Sequence, residues 1–143
     1  TPIYRYAEVL LNKAEACYKT GDAAGANAVV KAIRSRVGLP YTDKSDSELW
    51  KAIRQERKGE LAYEGLHYWD LRRWEAADKQ YPEGLSGYQQ HGLKIEKSGD
   101  GFTYTYVSVD DKERNFPAKL YRLPLPASEL NSNSSLEQYP EWK

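Results

Sequence analysis

The chain has 143 residues, with 21 basic and 21 acidic side chains, a length that suits one domain with a modest core. Equal charges remove the basic excess that nucleic-acid binding uses, and no apolar run reaches the roughly 20 residues of a membrane-spanning helix. A lone cysteine, Cys17, excludes an internal disulfide framework and a cysteine-based zinc cluster, while His67 and His91, the two histidines, lack metal-ligand spacing. No metal and no cofactor is expected.

Thr1-Pro2 opens the sequence and no methionine follows, so the chain is expected to be part of a longer translation product. Ile3, Tyr6, Ala7, Leu10, Leu11, Ala14 and Tyr18 recur at helical spacing and predict a first helix over residues 3–19. Gly21 suits the end of that helix and Asp22 the cap of the next. The second helix, about 23–36, buries Ala26, Val29, Val30 and Ile33, and Gly38-Leu39-Pro40 closes it. Over residues 1–39 this pair is similar to a tetratricopeptide repeat, a helical hairpin of about 34 residues that cannot bury its own face alone. It is expected to pack on neighbouring segments of a parent chain.

Ser45 and Glu48 form a capping-box pattern for a third helix of about 46–64. Gly65 offers a left-handed stop, and Leu66 to Ala77 reads as a shorter fourth helix, so the pair occupies 45–77. After a loop rich in Gly, Pro and Gln, residues 92–109 alternate around Ser98-Gly99-Asp100-Gly101, the pattern of a β hairpin. Phe102, Tyr104 and Tyr106 share one strand face, which is expected to be core. Residues 116–143 read as an extended, proline-punctuated tail, too Pro-rich for helix. The fold class is mainly α, with a small β hairpin and a long irregular C-terminal segment.

The stretch "ERKGELAYEGLHYWDLRRW" concentrates acids, arginines and aromatics. With about 100° per residue and Leu49 as zero, Ile53 lies near 40°, Glu56 near −20°, Glu60 near 20° and Glu64 near 60°. The glutamates continue the inward face, where carboxylates are costly unless paired. Arg72 and Arg73 on the next helix, with Arg5, Arg34 and Arg36 on the hairpin, are the candidate partners, since a guanidinium fork can hold two carboxylate oxygens. The expectation is a structural ion-pair network of Glu56, Glu60, Glu64, Arg72 and Arg73, sealed by Trp69 and Trp74. A catalytic carboxylate pair is the competing reading. It would require one proton held near neutral pH, and neighbouring arginines work against that. No catalytic residue is expected, and the chain reads as a non-enzyme.

Three blocks resemble the SusD/RagB family of nutrient-binding outer-membrane lipoproteins. Arg5, Ala7-Glu8, Ala14-Glu15-Ala16, Gly21, Arg34, Arg36 and Gly38-Leu39 match a helical hairpin of that family. Glu56-Arg57, Glu60-Leu61-Ala62, Glu64-Gly65 and Asp70-Leu71-Arg72-Arg73-Trp74 match its most distinctive signature. Pro124-Leu125-Pro126, Ser128-Glu129-Leu130, Asn133, Leu136, Gln138 and Pro140 match its closing segment. Gly59, Ser134, Tyr139 and Glu141 depart from the usual residues.

The resemblance implies the C-terminal portion of a glycan-capturing protein, lipid-anchored on the cell surface of Bacteroidetes. Its partners would be a SusC-like TonB-dependent transporter, a glycan ligand and the remainder of the parent chain. Membrane contact would run through a lipid anchor upstream of Thr1. Cys17, inside a helical pattern, is not the lipidated cysteine. Some members of the family capture peptides instead. From the residues alone, sugar binding calls for flat aromatic faces beside planar polar groups on exposed loops. Tyr81, Tyr88, Gln90 and His91 are the candidate ligand contacts. A tetratricopeptide-type adaptor for a polypeptide is the alternative, and it would use a groove lined by the first two helices.

Overall fold

The computed structural model describes residues 4–143, and the chain divides into two compact units, Thr1–Trp69 and Asp70–Lys143. In the first unit, helix α1 (Tyr6–Lys19) and helix α2 (Ala23–Arg36) form the hairpin, and helix α3 (Asp46–Glu60) packs on both. Ile3, expected in the first helix, lies outside the described residues. Arg5 is extended and stands ahead of α1.

Two helix ends share one geometry. At the end of α1, Gly21 takes φ +84°, its N–H reaches the Tyr18 carbonyl, and Asp22 N–H reaches Cys17 O at 2.8 Å. At the end of α2, Gly38 takes φ +72°, with Gly38 N–H on Ser35 O and Leu39 N–H on Arg34 O. Both are Schellman closures, in which a left-handed residue lets the chain satisfy carbonyls that the helix leaves open. Asp22 also caps α2, accepting from Gly25 N–H at 2.8 Å.

The core of this unit joins Leu11, Ala14, Ala26, Val29, Val30, Ile33, Leu49, Ile53 and Leu61. Small residues at Ala14 and Ala26 are fully buried. Tyr18 stacks on Trp50 with ring centroids 5.1 Å apart, and Lys19 Nζ sits 4.6 Å above the indole. Buried Asn27 ties the following loop down. Its amide donates to Ala23 O and Lys44 O, and its oxygen accepts from Tyr41 OH and Lys44 N–H.

Three boundaries differ from the sequence expectation. Helix α3 ends at Glu60 rather than near 64, because Arg5 donates to the Glu60 carbonyl and stops the ladder there. Leu61 then turns into the core, and Tyr63 takes φ +66° in the connecting turn. The expected capping box is not formed: Ser45 offers only its carbonyl, to Leu49 N–H, and Asp46 enters the helix at φ +47°. Helix α4 (Leu66–Arg73) stops four residues before Ala77. Glu75 takes φ +51°, Glu75 N–H bonds Arg72 O and Ala76 N–H bonds Leu71 O, a third Schellman closure without glycine.

The second unit has its own core of Leu71, Ala76, Ala77 and Phe116, flanked by Trp74, Leu85, Leu120 and Tyr121. Strands β1 (His91–Ser98) and β2 (Gly101–Ser108) pair antiparallel, with Leu93 opposite Tyr106, Ile95 opposite Tyr104 and Lys97 opposite Phe102. Gly99, at φ +60°, occupies the first turn position. Facing partners share a sheet face, so Leu93, Ile95, Phe102, Tyr104 and Tyr106 form one apolar face. That face is not core. Tyr104 is 62% exposed and Tyr106 80%, since nothing among the described residues covers the hairpin.

The tail also contains helix, contrary to expectation. Its prolines leave residues 127–132 free of ring constraints, and Ala127–Ser132 forms helix α5 behind Pro126. Short 3₁₀ turns occupy Ala118–Tyr121 and Pro140–Trp142. Gln138 pins the tail by accepting from Leu125 N–H and donating to Leu125 O, each at 3.0 Å. Trp142 Nε1 donates to Arg122 O at 2.8 Å.

Candidate functional site

Glu56 and Glu60 face inward, as their helical angles require, while Glu64 lies exposed beyond α3, and arginines ahead of and on the hairpin hold all three. Arg34 Nη1 donates to Glu56 Oε2 at 2.8 Å. Glu60, whose side chain is 12% exposed, receives Arg5 Nη1 at 2.7 Å and Arg36 Nη2 on both carboxylate oxygens at 2.8 and 2.9 Å. Glu64, in the turn beyond α3, accepts from Arg5 Nε at 2.7 Å and is more open. These bonds to Glu64 and Glu60 raise the Arg5 guanidinium above its ordinary pKa. Arg57 is buried and donates to Asn12 Oδ1 at 2.7 Å.

Arg72 and Arg73, expected to bridge the stripe, also have partners within the second unit. Arg72 donates to Tyr121 O at 2.9 Å and lies over the Phe116 ring, while Arg73 pairs with buried Asp70 at 3.0 Å. Because α3 rests against α1 and α2, Arg5, Arg34 and Arg36 reach its inward face. Trp69, expected to seal the network, is 59% exposed, and Trp74 packs beside the second core. Every carboxylate of the stripe thus has a cation in hydrogen-bond contact. That arrangement stabilises the negative charge of the carboxylates.

The ligand candidates fall at the base of the β hairpin. Tyr81 N–H bonds Ser86 O, Arg114 N–H bonds Tyr88 O, and Val109 N–H bonds Gln90 O at 2.9 Å. Ser86 Oγ accepts from Phe116 N–H, and Gly87 N–H donates to Asn115 Oδ1. These bonds draw the 80–90 loop against residues 109–116. Tyr81 and Tyr88 consequently meet with ring centroids 4.9 Å apart and planes tilted by 53°. Tyr81 is 52% exposed and Tyr88 half-buried.

Arg114 organises the polar side of this pair. Its guanidinium carbon lies 5.9 Å from the Tyr88 ring centre, Nη2 donates to Asp110 Oδ2 at 2.8 Å, and Nη2 also approaches Gln90 Oε1 at 3.4 Å. The hydrogen bond from Arg114 holds the Asp110 carboxyl below its ordinary pKa, and Asp110 raises Arg114 in return. Tyr81, Tyr88 and Gln90 thus belong to one patch. His91 opens β1 beside it, with Nδ1 3.0 Å from Gln89 O. Sequence reasoning missed Arg114 and Asp110. Their spacing of four in "DDKER" was the available signal, but no helical pattern surrounds it.

No group of three or more His, Cys, Asp or Glu side chains among the described residues could hold a metal ion, and no helix there is long and apolar enough to cross a membrane.

The helical hairpin with its packed third helix and the small two-stranded sheet define a mainly helical scaffold protein. The model of the SusD family matches residues 1–142, and the chain belongs to that family. It is similar to a SusD-like protein from Bacteroides fragilis, known from its crystal structure, at 35% identity and a TM-score of 0.79. That match covers 96% of this chain and 25% of the other, so the chain spans about a quarter of that relative's length. No curated protein matches the chain.

Proposed function

We propose that this chain is the C-terminal portion of a non-enzymatic, lipid-anchored receptor that captures a glycan at the outer-membrane surface and delivers it to a SusC-like TonB-dependent transporter. Family membership over residues 1–142 supports the general role in nutrient binding. One observation carries the reading for this chain: a tilted tyrosine pair, Tyr81 exposed and Tyr88 half-buried, beside Arg114, Asp110 and Gln90. A pyranose ring offers C–H faces that pack on aromatic rings and hydroxyls that exchange hydrogen bonds with planar polar groups. Tyr81, Tyr88 and Gln90 provide those two kinds of contact, with His91 alongside. The non-enzymatic reading rests on the paired state of Glu56, Glu60 and Glu64.

Calorimetry on the full-length protein with a panel of oligosaccharides and peptides tests this. At least one oligosaccharide should bind, and Tyr88→Ala should weaken that binding by about tenfold or more, as expected for an aromatic anchor. Binding of peptides with failure of every glycan would favour the polypeptide-capturing alternative. Unchanged glycan affinity in Tyr88→Ala would move the site away from this patch.

A further inference from the structure

Within the glycan reading above, on which this inference rests, the charges of the patch decide which glycans it accepts. Arg114 is its prominent cation, and its hydrogens are largely committed. Nη2 is shared between Asp110 Oδ2 at 2.8 Å and Gln90 Oε1 at 3.4 Å. Nη1 is shared between Asp110 Oδ1 at 3.3 Å and Lys112 O at 3.4 Å. A guanidinium has five N–H groups, so these four bonds leave the Nε–H to turn to a ligand. Its charge is matched by a carboxylate in direct contact.

Asp110 points the same way. It accepts from Arg114 on both oxygens and from Lys112 N–H at 3.2 Å. A carboxylate has about four acceptor positions, so it retains capacity for a sugar hydroxyl donor. It is also half-exposed, so its field reaches an incoming ligand. Around it, residues 110–114 carry Asp110, Asp111 and Glu113 against Lys112 and Arg114, an acidic excess.

A carboxylate or sulfate on the ligand would therefore meet an already neutralised guanidinium and a nearby negative group. We infer that the Tyr81–Tyr88 patch selects neutral oligosaccharides, with hydroxyl groups donating to Asp110, and discriminates against uronate-containing and sulfated ones. The discrimination is repulsive, achieved by an unfavourable charge rather than by an added contact.

The test compares neutral hexasaccharides (malto-, cello- and mannohexaose) with hexagalacturonate and a sulfated chondroitin hexasaccharide, using the full-length protein, Asp110→Asn and Tyr88→Ala. The best neutral ligand should bind about tenfold or more tightly than any acidic one at low salt. Asp110→Asn should narrow that ratio severalfold by removing the repelling charge. Tyr88→Ala should weaken the neutral ligand. If acidic ligands bind as well as neutral ones or better, while Tyr88→Ala still abolishes binding, the inference fails and the glycan site stands. An unchanged ratio in Asp110→Asn also overturns it. If no saccharide binds, or Tyr88→Ala changes nothing, the glycan reading of the patch fails and takes the inference with it.

Discussion

Glu60 and Glu64 lie four residues apart, yet their surroundings differ. Glu60 is nearly enclosed and receives Arg5 and Arg36, whereas Glu64 receives Arg5 and has a side chain 36% exposed. A buried pair broken on one side leaves an uncompensated charge, while an exposed pair is screened by water. Glu60→Gln should accordingly lower unfolding stability by about 2 kcal/mol, and Glu64→Gln by about 0.5 kcal/mol or less, read by urea denaturation. Equal losses would show that the stripe is not graded by burial. Helical angles alone revealed the inward face of Glu60, but not the exposed position of Glu64, which lies beyond the end of α3. That Arg5, Arg34 and Arg36 meet the glutamates was not legible, because periodicity gives a face and not its neighbours, and the packing of α3 on the hairpin brings these three there. Asn27 was missed for a related reason. Its four hydrogen bonds run to backbone and side-chain groups of a loop that no periodicity marks.

At the level of elements, glycine marked two helix ends and its absence hid a third. Gly21 and Gly38 take the left-handed position of their closures, and both boundaries were legible. Helix α4 ends by the same two hydrogen bonds, but with Glu75 at φ +51°, so the apolar pattern suggested four further residues. Buried Leu71 and Ala76 supply the apolar contact that usually accompanies this closure and hold the strained residue in place. A side chain in the left-handed region costs about 1 kcal/mol relative to glycine, partly offset by the greater freedom of glycine when unfolded. Glu75→Gly should thus stabilise the protein by about 0.5 kcal/mol, seen as a higher urea midpoint at unchanged slope. A loss of stability would mean that the Glu75 side chain contributes more than its backbone strain costs. The hairpin teaches the converse lesson. Alternation set its strands and turn, yet the same alternation could not say that its apolar face stays uncovered among the described residues.

For the whole molecule, equal numbers of acids and bases hide local pairings that set its response to acid. Asp110 is held below its ordinary value of 3.8 by Arg114, and Glu137 below 4.5 by Lys143. A carboxyl with a depressed folded-state pKa contributes above its unfolded pKa and loses that contribution as pH falls through the folded one. Both ties therefore persist across neutral and mildly acidic conditions, though as exposed pairs they add little to stability. Ligand binding is the better reporter. The charged and titratable groups around Asp110 are Arg114, Lys112, Asp111, Glu113 and Tyr88, with His91 at the start of the adjoining strand. If an ionised Asp110 accepts sugar hydroxyls, affinity for a neutral oligosaccharide should stay level from about pH 8 to about pH 5 and weaken only as the carboxyl protonates below its ordinary value. Calorimetry at fixed ionic strength over that range checks it. Asp110→Asn should remove the acid-side decline, and a decline that survives the substitution would show that Asp110 does not cause it.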